Sequence, residues 1–187
     1  MVFVPLSALW LPIVLSAVIV FIASSIIHMV LPYHRGDYKE LPGEEKIGAA
    51  IREAGVTPGL YIIPYTTHAG MKSLAMAEKL KRGPVGTMSI RPNGPIVMPK
   101  FLGQWFGFCL IVSFFTAYVT GHTVPPGHTY LAVFRVAGTV AFMAYGLSQL
   151  ANGIWKGEPW GMVIKEVFDG LIYGLLTAGT FGWLWPR

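Results

Sequence analysis

The sequence is short of charge and shorter still of cysteine. Asp, Glu, Lys and Arg make up 12% of its 187 residues, where a soluble domain carries about a quarter, so a water-soluble globular chain is excluded. The single cysteine, Cys109, sits inside an apolar run and leaves no disulfide framework; a small core residue is expected there. The short patterns of common chemistries are also missing: no phosphate-binding glycine loop, no G-x-S-x-G, no H-E-x-x-H and no C-x-x-C. "GPVG" and "PNGP" are turn chemistry, and no internal repeat is present.

What the chain has instead is apolar length. Hydrophobic residues make up 53% of it, and four stretches reach the roughly 20 residues that a helix needs to cross a bilayer. They run from about Leu9 to Leu31, Phe101 to Thr120, Tyr130 to Asn152 and Gly161 to Trp185. No basic residue precedes the first, and its apolar run exceeds a signal-peptide core, so it reads as a retained anchor. Ten of the fourteen Lys and Arg lie between Arg35 and Lys100. The "GHTVPPGHT" loop after the second stretch has none, and "GIWKGEPW" after the third carries Lys156. Basic loops stay in the cytoplasm, so residues 32–100 are expected there and both termini outside. The basic residues are thus a topology signal, and nucleic-acid binding is not expected.

The last stretch begins with Lys165, Glu166 and Asp169. On a helix, Glu166, Gly170, Gly174, Ala178 and Gly182 form one stripe, and Asp169, Tyr173 and Thr177 the adjacent one. A charge at mid-membrane costs about 2.5–3.5 kcal/mol. Small residues admit a neighbouring helix closely, so the carboxylates are expected to face the bundle. Gly103, Gly107, Ser113, Ala117 and Gly121 form a similar seam in the second stretch. Arg135, Gly138, Thr139, Phe142, Gly146, Gln149 and Gly153 do so in the third, and Ser16, Val20, Ser24 and His28 in the first. Arg135 and Asp169 are separated by about 15 Å of helix rise, so Arg135 is expected to snorkel outward or bond to carbonyls. Trp183 and Trp185 are assigned to an aromatic belt at the outer surface.

Residues 32–100 read as a folded insertion. "LPGEEKIGAAIREAG" and "AGMKSLAMAEKLKRG" have helix starts and glycine stops, "GLYIIPY" is a strand, and "VGTMSIRPNGPIVM" predicts a hairpin about its "RPNG" turn. The expected fold is therefore mainly α: a four-helix transmembrane bundle (residues 1–31 and 101–187) with a small α+β cytoplasmic insertion between helices 1 and 2.

Candidate site residues are few. His28, Gln104, Gln149, Asn152, Glu166 and Asp169 all fall toward the inner ends of their helices. They make an intramembrane polar cluster, with a hydrogen-bonded layer that fixes helix register as its favoured reading. Histidine is a common metal ligand, but His28 and His34 are six residues apart with a proline between and share no helix face. His122 and His128 bracket "TVPPG" and lack a third ligand. No cofactor is predicted, and "RGD" at Arg35–Asp37 reads as a coincidence. In "SSIIHMVLPYHR" and "DGLIYGLLTAGTFGWLWPR", and over essentially its whole length, the chain resembles a family of bacterial four-span inner-membrane proteins with no established activity. The resemblance implies a multi-pass bacterial protein and brings no catalytic residue with it. The expected role is a non-enzymatic accessory subunit or homo-oligomer. Its partners would be the lipid bilayer and either another protein or a second copy, docked through the membrane helices. The alternatives are a small proton- or ion-coupled transporter and a His/carboxylate metal-dependent membrane enzyme.

Overall fold

The computed structural model describes residues 3–187. They divide into two compact units, one of them holding the chain up to Asp37 with Val97–Gly153 and Glu158–Arg187, the other Tyr38–Ile96 with Ile154–Gly157. The sequence expectation set the insertion at residues 32–100, without Ile154–Gly157.

In the first unit, helix α1 (Trp10–Ser25) has Pro12 in its first turn, where the missing N–H would have had no helical partner. It continues through a π-helical turn, Ile26–Val30. Helix α4 (Met98–Thr123) likewise carries Pro99 at its start. Helix α5 (Tyr130–Tyr145) loosens at Gly146 and continues as 3₁₀ and π turns to Lys156. Three segments, Trp10–Val30, Met98–Thr123 and Tyr130–Lys156, are long and apolar enough to cross a membrane. Helix α6 (Trp160–Trp183) has the length but is diluted by Lys165, Glu166 and Asp169.

The four helices pack in a ring, α1 against α4 and α6, and α5 against α4 and α6, with α5–α6 the most extensive pair. Small residues bring that pair together: a Cβ on Gly170 would stand 2.2 Å from the Cα of Gly146, and one on Gly138 3.0 Å from the Ala178 Cβ. Gly174 and Gly182 face Phe142 and the Tyr130 ring equally closely. Gly103 and Gly107, expected in a seam, meet no neighbour within 4 Å. Polar contacts join α1 to α4, through Ser16–Ser113 Oγ at 3.0 Å and Trp105 Nε1 donating to Ser24 Oγ at 2.7 Å. The core has two apolar clusters. One is built on Leu9, Val133 and Phe181, the other on Val20, Cys109, Tyr145 and Tyr173.

Two expectations for this unit change. Arg135 and Thr139 face outward, because Val133, Ala137, Ala141 and Tyr145 form the buried face of α5. Trp185 is not in a lipid-facing belt: it is buried at 7% exposure and donates to the Pro125 carbonyl at 3.1 Å. Trp183 does face outward, 74% exposed.

The second unit contains helices α2 (Glu44–Glu53) and α3 (Leu74–Arg82) and strands β1 (Gly59–Ile63) and β2 (Gly86–Ile90). Ser73 caps α3 by accepting from Met76 N–H at 3.1 Å. The expected hairpin about "RPNG" does not form. β2 pairs antiparallel with β1 over five residues, Gly59 opposite Ile90 through Ile63 opposite Gly86. The residues after the turn include Pro95 and Pro99, which lack the N–H a second strand would donate, and Met98 opens α4 instead.

Candidate metal centre

The inner polar residues of α6 meet the chain just beyond α1. A π turn inserts an extra residue into its coil and re-aims the side chains that follow; here it contains His28. Leu31 precedes proline and is extended (φ −75°, ψ 138°). Pro32–His34 then forms a 3₁₀ turn, and Asp37 N–H closes back on the His34 carbonyl at 3.1 Å. This reversal brings the His28 and His34 rings to 4.5 Å between centroids. Six residues and a proline do not separate the two imidazoles, because the backbone between them is folded rather than helical.

His34 bridges two carboxylates. Its Nδ1 donates to Asp37 Oδ2 at 2.6 Å, and its Nε2 lies 2.7 Å from Asp169 Oδ2. Asp169 is 2% exposed, and its Oδ1 accepts from the Tyr33 hydroxyl. His28 Nε2 lies 3.8 Å from Asp169 Oδ2 and 3.5 Å from the Tyr173 hydroxyl. Behind them, Lys165 Nζ donates to Asp37 Oδ1 at 2.5 Å and to the Tyr33 carbonyl at 2.6 Å. The bond from Lys165, reinforced by His34, outweighs burial and holds the Asp37 carboxyl below the usual carboxylate range. Burial and then the bond to Asp169 push the Tyr33 phenol up. Asp37 therefore stays an acceptor and Tyr33 a donor.

His28, His34 and Asp169 each offer one ligand atom, and the three atoms lie within 4.8 Å of one another. Tetrahedral ligands about 2.0–2.2 Å from zinc stand about 3.3 Å apart, between the 2.7 and 3.8 Å separations at Asp169. The surroundings fit an ion. A ligating histidine commonly gives its other ring N–H to a carboxylate, which fixes the tautomer, and Asp37 does this for His34. Tyr33 occupies Oδ1 of Asp169 and leaves Oδ2 to the centre. Two imidazoles and a carboxylate suit zinc or ferrous iron and leave further positions open.

The other expected residues lie apart from this centre or at its edge. Gln149 and Asn152 bond to each other at 3.0 Å, and Gln104 is exposed. Glu166 has a buried Oε2 with no hydrogen-bond partner among the described residues and is not among the three residues whose ligand atoms come together. His122 Nδ1 bonds to the Tyr118 carbonyl at 2.7 Å, and His128 lines a surface cavity with Tyr130 and Arg187; neither belongs to a ligand group among the described residues. Sequence reasoning missed Tyr33 and Asp37. The signal was the density of polar side chains in "PYHRGD" directly after a membrane stretch, where the "RGD" coincidence hid its aspartate. No family model, curated protein or solved structure matches the chain.

Proposed function

We propose that this is a four-span protein of a bacterial inner membrane that binds a divalent transition-metal ion at His28, His34 and Asp169, with a coordination position left for water or a substrate. The observation that carries the reading is the gathering of three ligand atoms within 4.8 Å of one another, with the second ring nitrogen of His34 already engaged by Asp37. Three protein ligands with an open position are the pattern of catalytic rather than closed structural sites, so a metal-dependent membrane enzyme is the class this reading favours.

The fourth span is α6. Its 24 residues extend about 36 Å, enough for a hydrocarbon core of about 30 Å. Of its three charges, Lys165 and Asp169 have partners from the chain after α1, which removes most of the objection to burying them. The ten Lys and Arg between Arg35 and Lys100 support an orientation with the metal end of the bundle at the cytoplasmic side and both termini outside.

The test is metal analysis of the purified full chain, with Co²⁺ loading followed by visible absorption. About one ion per chain is expected, lost in His34→Ala and Asp169→Asn and kept in His122→Ala. A chain that takes up no Zn²⁺, Co²⁺ or Fe²⁺ would overturn the reading. It would leave a second one, which the continuous hydrogen-bonded network Lys165–Asp37–His34–Asp169 favours. In that case the cluster is a clasp between the turn after α1 and α6, in a non-enzymatic accessory or self-associating membrane protein.

A further inference from the structure

Arg135 is a cation on the outer face of a helix that is long and apolar enough to cross a membrane. Its guanidinium makes no ion pair or hydrogen bond among the described residues. The carboxylates of α6, Glu166 and Asp169, belong to the opposite end of the helical unit, in and beside the metal centre. A lipid-facing arginine is costly unless it reaches the interface or an anion.

Beside Arg135 is a groove between α5 and α6. It has a volume of about 400 Å³ and is lined almost wholly by carbon, with Phe142, Met143, Leu171 and Leu175 along it and Leu147 at the far end. It exists because Gly138 and Gly174 bring the two backbones together, so that large side chains stand on either side of a shallow floor. The other polar residue lining it, Thr139, has its hydroxyl turned back to the Arg135 carbonyl at 2.7 Å. The groove therefore has a charge at one end and apolar walls along the rest. From Arg135 to Leu147 the chain rises about 18 Å, close to the roughly 15 Å of hydrocarbon in one leaflet.

We infer that this groove is a seat for one anionic glycerophospholipid, with its phosphate on the Arg135 guanidinium and one acyl chain lying along α5 and α6 toward Leu147. The choice of occupant follows from charge complementarity. A helix from a second copy would cover the apolar walls but bring no carboxylate to Arg135, whereas the phosphate of an anionic lipid satisfies the fork of donors with no choline cation competing for it. This assignment does not involve the metal centre and stands if that centre is empty.

The experiment is native mass spectrometry of the full chain released from mild detergent after titration with phosphatidylglycerol or phosphatidylcholine of identical acyl chains. Wild type is expected to keep one phosphatidylglycerol at ratios where phosphatidylcholine is stripped. Arg135→Gln should lower phosphatidylglycerol occupancy about tenfold, to the phosphatidylcholine level, and Arg135→Lys should restore part of it. Met143→Trp, at an exposed wall position, fills the groove and should weaken both lipids alike. Thermal unfolding of each variant shows whether it is folded. Equal retention of the two lipids by wild type, or unchanged phosphatidylglycerol retention in folded Arg135→Gln, would overturn the assignment. So would a dimer that excludes lipid and is broken by Met143→Trp, which would give the groove to a second copy.

Discussion

The helical unit buries apolar side chains and small polar ones together, whereas the Tyr38–Ile96 unit buries almost nothing. Inside the helices are Ser16, Ser113, Thr116, Thr120 and Thr177, while Ile111, Phe115, Phe168 and Leu175 face outward. In lipid this costs nothing, since apolar side chains find no gain in leaving acyl chains for a protein interior; close packing and buried hydrogen bonds hold the helices instead. The second unit buries only Met76 and exposes Leu60, Ile62, Tyr65, Leu74 and Val85. A domain of its size that folds in water relies on a core, and this unit has almost none. What orders it is hydrogen bonding, namely the ladder between β1 and β2 and the Ser73 cap. The comparison teaches that the same chain holds its helices by close packing and its second unit by hydrogen bonds.

The strongest blow to this contrast is Gly170→Leu. The added side chain would be driven into the Gly146 backbone, and a loss of at least about 3 kcal/mol is expected, read as failure to elute monodisperse. Gly103→Leu, in open space, should leave elution unchanged; if both behave alike, close packing does not hold the helices. Next in size, Phe181→Ala removes a ring at 0% exposure and should cost about 3–5 kcal/mol, lowering the thermal midpoint of the whole helical unit. Hydrogen exchange sharpens the comparison without mutation. Amides of β1, β2 and α2 should exchange at least tenfold faster than those of α6, since local opening is easiest where few apolar contacts must break. Slower exchange there would mean that the second unit has support beyond its own residues. The smallest effect is Ser73→Ala, which removes the cap on Met76 N–H and should cost about 1 kcal/mol. It should appear as faster proteolysis within residues 66–85 and leave the helices untouched.

The elements were largely legible, and their partners were not. Helix positions follow from apolar length and proline placement. The α6 stripe of Gly170, Gly174, Ala178 and Gly182 follows from spacing alone, because a period of four on a helix is geometry. The hairpin about "RPNG" failed because a turn signal says where the chain bends and not which strand will pair; β1, twenty-three residues earlier by the Ile63–Gly86 pair, offered an uninterrupted ladder. Trp185 looked like a belt residue because Trp is amphipathic, and only the approach of Pro125 gave its N–H a buried acceptor.

At the candidate centre the division is sharper. Asp169 stands out by itself, since a carboxylate in an apolar helix is expensive wherever it points. That it meets His34, Tyr33 and His28 depends on a π turn, an extended Leu31 and a 3₁₀ turn in succession, none of which leaves a periodic trace in the residues. Periodicity records only what repeats along one element, so membrane character, the small-residue stripe of α6 and the cost of each charge could be read directly from the chain, while the packed face of α5 could not. Which charges neutralise one another was decided by where α1 ends against α6, a long-range encounter that no local pattern encodes.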